Sequence, residues 1–209
     1  MLNDPRAAAC GAHHEPTAGC LPCYQALLRY AEGLEHDAMT GLLRRDVGLP
    51  LAERLARRRV CAVVFVDVDG LKSHNDQAMS RGDWAIRAAA LATASSCRAG
   101  DLAVRWGGDE MVYFGVVGEV GDDEGDAERS ARRVADRIAR RIERAVVDST
   151  RGAVTVSCGR AVFVSERQSL ELVVDRLADE SRERKRQKRE AAVHERPVSI
   201  VPAMRSSVA

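Results

Sequence analysis

Residues 60–70 have the sequence VCAVVFVDVDG, an apolar run rich in β-branched residues that ends in two aspartates. A run of this kind without polar alternation predicts a strand that is buried on both faces. Burial on both faces requires a covering layer on each side, so we expect a sheet covered by helices. Asp67 and Asp69 then lie where the backbone leaves the sheet.

Strand-like and helix-like segments alternate around this strand. Short strands at Leu102–Arg105 and Met111–Val117 flank Gly107 and Gly108, which predicts a hairpin. A further strand is predicted at 153–164. Helices are predicted at 21–36, from about Pro50, at 83–97, along 127–145 and from about Ser169, the last ending in the basic stretch RERKRQKR (182–189). The alternation predicts an α/β or α+β fold.

Composition argues against several classes of function. Charged residues make up 30% of the chain but leave a formal net charge of only +1. Binding to nucleic acid or to a membrane surface needs a sustained basic field, so neither is expected. The amino terminus lacks the apolar core of a signal peptide, and Val60–Val66 is too short to cross a bilayer. We therefore expect a cytoplasmic protein, with Cys61 and Cys158 as core residues and no disulfide framework.

Two acidic segments carry the chemistry. Asp67-Val68-Asp69 ends the apolar strand, and Gly107 to Glu110 form the tip of the hairpin. If the strands are neighbours, the carboxylates converge, and Mg²⁺ is the hard cation that accepts such oxygens together with water and substrate phosphates. The glycines permit a tight turn and leave room for a triphosphate. Taken singly, each segment is also typical of an ordinary loop or hairpin.

Six short motifs follow one another along the chain. They are DAMTGL (37–42), DVDGLKSHND (67–76), Gly82-Asp83, RAGD (98–101), RWGGDEM (105–111) and VTVSCGRA (154–161). In order and spacing they resemble the GGDEF-domain diguanylate cyclases, relatives of the palm domain of adenylyl cyclases and polymerases, which usually have Phe at the place of Met111. The resemblance implies a palm-like α+β catalytic domain over 37–190, with a central, mostly antiparallel sheet flanked by helices. Residues 1–36 would form a Cys/His segment and helix, and 191–209 a strand and tail.

The resemblance also implies roles for the acidic turns. Asp67, the backbone carbonyl of Val68, Asp109 and Glu110 would hold Mg²⁺ or Mn²⁺. Asp109 would be the general base for the ribose 3′-hydroxyl, with Glu110 as a further catalytic carboxylate. Lys72 would steady the phosphates as charge builds up in the transition state. The reaction would join two GTP molecules into cyclic di-GMP with release of pyrophosphate, and because each protomer holds one GTP, a homodimer is implied.

Other positions would bind nucleotide. Asn75 and Asp83 would read the guanine edge, since an amide and a carboxylate can meet its acceptor and its N–H donors. Lys185 and Arg189 would contact phosphates; the alternative is a solvated basic helix end favoured by the helix dipole. Arg98 and Asp101 would bind cyclic di-GMP as an inhibitor, the alternative being a helix-ending Arg followed by a turn Asp.

The chain departs from the family pattern at two places. The stretch between Asn75 and Gly82 is one residue shorter than usual and lacks a Gly-His pair, which leaves the choice of nucleotide less determined. In the last helix the usual Tyr is absent, and Lys185 and Arg189 fit only with a slip of one residue.

The amino-terminal segment contains a candidate zinc site. Cys10, His13, Cys20 and Cys23 include a Cys-x2-Cys pair with the spacing of a zinc knuckle. A segment so poor in apolar residues would need the metal in order to fold. The alternatives are a disordered tail with incidental thiols and a redox-sensitive cysteine pair.

Three other functions compete with the cyclase. They are a catalytically silent receptor that binds cyclic di-GMP through Arg98 and Asp101, a related cyclase that uses ATP, and an interaction module that works through the Cys/His segment and the basic helix. The presence of Lys72 and of the acids of both turns favours the active cyclase, and Asn75 with Asp83 favours GTP.

Overall fold

The structure is a computed structural model, and it describes residues 33–121 and 124–194. Its elements in chain order are β1 (Leu43–Arg44), α1 (Arg45–Leu55), β2 (Arg59–Val68), α2 (Leu71–Gln77), α3 (Met79–Ala94), β3 (Leu102–Arg105), β4 (Glu110–Glu119), α4 (Glu124–Thr150), β5 (Val156–Val164) and α5 (Leu170–His194). The candidate zinc residues and most of the predicted helix 21–36 lie outside the described residues.

The strands form one five-stranded sheet in the order β1-β3-β4-β2-β5. Strand β2 pairs antiparallel with both β4 and β5, and β1 and β3 run parallel to each other. The predicted buried strand is confirmed, since nine of the ten residues of β2 are buried. The predicted hairpin is also confirmed, since β3 and β4 are antiparallel. The fold is thus the expected mostly antiparallel sheet with helices on it.

Alternate residues of β2 point into two different hydrophobic layers. Val64 and Val66 face α3 and α4, whereas Val63 and Phe65 face α1 and α5. This alternation is the ordinary two-residue period of a strand. Each fully buried Val or Phe contributes about 1.5–3 kcal/mol relative to exposure. Because both layers depend on it, β2 is the element that fixes the position of Asp67 at its end.

Helix α1 begins at Arg45, so the prediction of a start near Pro50 was wrong. Pro50 lies inside the helix. The early start brings Gly48 against β3, where an added Cβ would lie 2.5 Å from a methyl of Val104. This packing, and not the local preference of proline for a first turn, decides where the helix begins.

The segment before Asp83 also differs from expectation. The predicted helix at 83–97 begins at Met79 and ends at Ala94, and the preceding residues 71–77 form α2. Only Ala78, with φ −171° and ψ 140°, separates the two helices. The short stretch after Asn75 is therefore a helical break and not an open loop.

The helices predicted along 127–145 and from about Ser169 are confirmed within a few residues. Helix α4 contains the predicted stripe, and α5 buries its predicted apolar face along Leu170, Val173, Val174 and Leu177. Helix α5 continues to His194, into the segment expected to hold a strand and tail, and residues 195–209 lie outside the described part. Within the described residues, no helix combines the length and apolar character that a bilayer span requires.

Candidate active site

The two acidic turns meet at one edge of the sheet. Asp67 on β2 stands directly opposite Glu110 on β4 in the antiparallel register. The Val68 N–H donates a 3.4 Å hydrogen bond to the Asp109 carbonyl, which ties the two turns together. Asp67 is only 6% exposed, so a carboxylate is held at the edge of the core. The predicted convergence of the two segments is therefore a feature of the fold.

The glycines of the hairpin have separate roles. A Cβ on Gly107 would lie 2.7 Å from the Glu110 Oε2, so the glutamate folds back over a residue without a side chain. The Trp106 N–H donates a 2.8 Å hydrogen bond to the Glu110 carbonyl and closes the turn. Gly108 is exposed, and a Cβ there would meet no atom within 4 Å. The turn thus offers bare backbone to a ligand beside the acids.

Helix α5 brings cations to these acids. The Lys185 Nζ lies 2.5 Å from the Asp67 Oδ1 and donates a 2.6 Å hydrogen bond to the Val68 carbonyl. Ser181 donates to the Asp67 Oδ2 at 3.4 Å, and an Arg182 nitrogen lies 4.0 Å from the Glu110 Oε1. One face of the helix therefore forms a wall of the site.

Burial and mutual repulsion shape the protonation of the acids. Burial raises the pKa of Asp67, and the hydrogen bond and charge of Lys185 oppose that rise. Burial likewise raises the pKa of Glu110, the nearby Asp67 charge raises it further, and Arg182 opposes both. Asp109 adds a smaller repulsion to both groups. The acids therefore form one electrostatically linked cluster, in which a cation stabilises the charged forms.

The donor atoms fit a hard divalent cation. Among residues 33–121 and 124–194, no three Asp, Glu, His or Cys side chains form a ready metal cage. Mg²⁺ does not need one, because it is held by one or two carboxylates while waters and substrate phosphates complete its shell. The Asp67 carboxylate and Val68 carbonyl already converge on one positive group, the Lys185 ammonium. The ammonium therefore shows where a cation can bind, between the Asp67 carboxylate and the Val68 carbonyl.

Asp69 is anchored to a different segment from Asp67, although its charge also raises the pKa of Asp67. Thr155 and Ser157 donate hydrogen bonds of 2.8 and 2.7 Å to its two carboxylate oxygens. Its backbone N–H also donates to the Thr155 carbonyl at 2.9 Å. Asp69 thus ties the end of β2 to the segment that leads into β5.

The residues predicted to bind guanine are brought together. A Cβ on Gly82 would lie 1.7 Å from the Asn75 Oδ1, so the Asn75 side chain occupies the space that the glycine leaves free. Asp83 follows Gly82 in the first turns of α3 and is partly exposed. Lys72 is exposed on α2, and within the described part of the chain no acid pairs with it. Arg189 lies on α5, and its side chain is outside the described residues.

Arg98 and Asp101 contact each other. The Asp101 side chain is 3% exposed, and its Oδ2 accepts hydrogen bonds from the Tyr113 hydroxyl at 2.7 Å and the Arg98 N–H at 3.1 Å. The Arg98 Nε lies 3.3 Å from the Oδ1. Burial and this carboxylate raise the pKa of Tyr113. The Asp101 oxygens are engaged within the protein, while the Arg98 side chain is 62% exposed.

An ion pair to which the sequence motifs assign no role supports the hairpin turn. The Arg105 guanidinium lies 2.6 Å from the Asp37 Oδ1 and donates hydrogen bonds to the Gly108 carbonyl at 2.7 Å and the Gly107 carbonyl at 3.3 Å. Thr40 donates to the same Asp37 oxygen. Both residues lie in the quoted motifs, but only the fold shows that DAMTGL supports the glycine turn.

Comparisons with known proteins agree with this architecture. A family model described as "Diguanylate cyclase, GGDEF domain" matches residues 34–191. Diguanylate cyclase DgcM of Escherichia coli K12 is 39% identical over 94 residues, covering 40% of this chain and 23% of that protein. Probable diguanylate cyclase DgcJ of the same strain is 41% identical over 81 residues, covering 36% of this chain and 16% of that protein. The matched part spans less than a quarter of each relative.

Solved structures show the same fold. The coiled coil and GGDEF domain of DgcB from Caulobacter crescentus, crystallised with c-di-GMP, matches with a TM-score of 0.60 at 20% identity, over 78% of this chain and 87% of that one. Diguanylate cyclase SiaD from Pseudomonas aeruginosa, in complex with its activator SiaC, matches with a TM-score of 0.57 at 23% identity, over 79% and 65% of the two chains. At such identities the similarity is evidence for the fold alone.

Proposed function

The chain belongs to the GGDEF domain family, described as diguanylate cyclases, and we propose that it joins two GTP molecules into cyclic di-GMP with release of two pyrophosphates. The observation that carries the proposal is the pairing of Asp67 with Glu110 across β2 and β4, beside a hairpin turn that is open at Gly108. The proximity of carboxylates, a cation position and the bare backbone of Gly108 supports the binding of one triphosphate at this edge of the sheet.

The residues of the two turns divide the work. Asp67, the Val68 carbonyl, Asp109 and Glu110 would hold Mg²⁺ or Mn²⁺, which supplies charge stabilisation and alignment for phosphoryl transfer when bound. Asp109 takes the proton from the 3′-hydroxyl of one GTP as that oxygen attacks the α-phosphorus of the other. Lys72, exposed and without an acidic partner among the described residues, steadies the phosphates.

Nucleotide binding is assigned to Asn75, Asp83, Lys185 and Arg189. The contact of Asn75 with Gly82 supports a guanine pocket at the α2–α3 break, because it places the amide beside Asp83. Each protomer binds one GTP and two such sites must face each other, so the active form is a homodimer. GTP is the proposed substrate, because guanine offers its N1–H and 2-amino N–H to a carboxylate such as Asp83, whereas N1 of adenine carries no hydrogen.

Cyclic di-GMP is proposed to inhibit the enzyme by binding to Arg98 and Asp101. The guanidinium of Arg98 is exposed, but it donates to the Val116 carbonyl at 2.5 Å and to the Asp101 Oδ1 at 3.3 Å, so a bidentate contact with phosphate or guanine requires it to exchange these partners. The Asp101 side chain is only 3% exposed and accepts hydrogen bonds from Tyr113 and Arg98, so a ligand reaches it only if these neighbours shift. Inhibition therefore includes a local rearrangement around Tyr113.

Mass spectrometry of the reaction products tests the proposal. Purified protein is incubated with Mg²⁺ and GTP, ATP or both, beside a variant that carries Asp109→Ala and Glu110→Ala. Cyclic di-GMP from GTP alone, absent in the variant, is the expected result. A cyclic product from ATP would overturn the assignment of the substrate. If no product forms but cyclic di-GMP binds and Arg98→Ala abolishes binding, the protein is a receptor and not a cyclase.

A further inference from the structure

Lys185 occupies the position that the proposed function gives to a divalent cation. Its ammonium contacts the Asp67 Oδ1 at 2.5 Å and the Val68 carbonyl at 2.6 Å. Both oxygens are among the proposed metal ligands. The pair is largely shielded from water, with 15% of the Lys185 side chain and 9% of the Asp67 side chain exposed. The contact is therefore an interior ion pair and not a surface contact that solvent screens.

The neighbouring cations on α5 are directed elsewhere. Arg186 is 67% exposed and pairs with Glu183 on its own helix. Arg184 donates to the Cys158 carbonyl on β5, and Arg182 pairs with Asp179 and lies 4.0 Å from Glu110. Among the described residues of this basic stretch, only Lys185 contacts Asp67. Among the lysines whose side chains the structure describes, Lys185 is the interior one, and its ammonium contacts the Asp67 carboxylate and the Val68 carbonyl.

We propose that Lys185 is a built-in competitor of the divalent cation, an inference that rests on the proposed function for the identity of the metal. The ammonium and the metal would bind to the same two oxygens, so the metal binds only when the Lys185 side chain leaves Asp67. The phosphates of GTP then give the ammonium a new partner. Metal and nucleotide consequently bind with positive coupling, and the metal alone binds weakly.

The expected size of the effect follows from simple electrostatics. An opposite charge within hydrogen-bonding distance changes the proton affinity of a carboxylate by about 1–3 pKa units, and each unit is a factor of ten. The ammonium should disfavour a rival cation to a similar degree. Removing the charge should therefore strengthen binding of the metal alone by about tenfold or more.

Titration with Mn²⁺ alone tests this, with free Mn²⁺ measured by electron paramagnetic resonance in the absence of nucleotide. The variant is Lys185→Met, which keeps the length of the side chain and removes its charge. The matched control is Arg186→Met, which removes the same charge from the same helix. We expect the dissociation constant for Mn²⁺ to fall about tenfold in the first variant and to stay within about twofold of wild type in the control. Equal affinity in all three proteins overturns the inference.

A second measurement needs no substitution and covers the case in which Lys185→Met does not fold. The chain has three lysines, Lys72, Lys185 and Lys188. Competitive acetylation with readout by mass spectrometry compares Lys185 with the exposed Lys72, with and without Mg²⁺ alone. We expect Lys185 to be protected from acetylation without Mg²⁺ and to react several-fold faster when Mg²⁺ is present. Unchanged reactivity at saturating Mg²⁺ contradicts the competition.

These results can be separated from the fate of the proposed function. Cyclic di-GMP production by the wild type, together with unchanged Mn²⁺ affinity in Lys185→Met, rejects the competitor and leaves the cyclase intact. Tighter Mn²⁺ binding in the variant without any product from GTP supports the competitor and rejects the cyclase.

Discussion

At the scale of single residues, the acids of the site differ in what holds them. Asp67 forms an ion pair with Lys185, and Glu110 lies 4.0 Å from Arg182. Asp69 accepts hydrogen bonds from two hydroxyl groups of the segment that leads into β5. The residue types and their spacing pointed to a cluster of acids at the ends of two strands. They could not separate Asp69 from Asp67, because the partners of Asp69 come from residues 155 and 157, far away in sequence.

Asp37 and Arg105 give a prediction for the pH dependence of stability. Burial acts to raise the pKa of Asp37, but hydrogen bonds from Thr40 and Arg105 outweigh it and leave the pKa lowered from its ordinary value of 3.8. The charged Asp37 therefore stabilises the folded protein fully above the ordinary pKa of 3.8, and this stabilisation is lost as the pH falls through the lowered pKa. Asp37→Asn should cost about 2 kcal/mol at neutral pH and less once the pH falls below 3.8, where the stabilisation begins to be lost.

Urea unfolding at neutral pH and at about pH 3 measures this difference. Asp46→Asn is the control, because its ion pair with Arg44 is exposed and should contribute about 0–1 kcal/mol. A cost for Asp37→Asn that is the same at both pH values would contradict the assignment.

Gly82 gives a prediction for nucleotide binding. Gly82→Ala would place a Cβ 1.7 Å from the Asn75 Oδ1 and force that side chain out of its position. The loss of one amide contact should weaken GTP binding about three- to tenfold. Gly125→Ala, at an exposed helical glycine of α4, is the control for the gain in helix propensity. Calorimetric titration with GTP measures both, and equal affinities would show that Asn75 takes no part.

At the scale of elements, β2 supports both hydrophobic layers. The fully buried Phe65 belongs to the layer shared with α1 and α5, so Phe65→Ala should lower the free energy of unfolding by about 3–5 kcal/mol. Leu172→Ala on α5 removes a side chain that is 67% exposed and should change it by no more than about 0.5 kcal/mol. Urea unfolding of both variants makes the comparison, and similar losses would mean that β2 is not central.

The elements show how far local pattern determines structure. The continuous apolar run of β2 and the apolar stripes of α4 and α5 predicted their elements correctly, because each carries its period over many residues. The start of α1 and the break at Ala78 were missed. The first depends on Gly48 meeting Val104 in β3, and the second lacks any side-chain cap at Ala78, so neither leaves a local signal.

At the scale of the whole molecule, the palm-like sheet is confirmed, while the amino-terminal segment remains a prediction. If Cys10, His13, Cys20 and Cys23 bind Zn²⁺, the full-length protein should contain one zinc ion per chain by elemental analysis. A variant carrying Cys20→Ser and Cys23→Ser should lose it, because two of four ligands are removed. Absence of stoichiometric zinc from the wild type would leave the segment without a metal role.

The proposed function requires the acids at the ends of β2 and β4 for the conversion of GTP into cyclic di-GMP. The most direct test measures that product by mass spectrometry for Glu110→Gln and for Glu119→Gln, the same change at the exposed far end of β4. We expect the rate of product formation to fall at least about 100-fold in Glu110→Gln, because a charge at the reacting centre is removed. Glu119→Gln should keep the wild-type rate. Equal rates in both variants would contradict it.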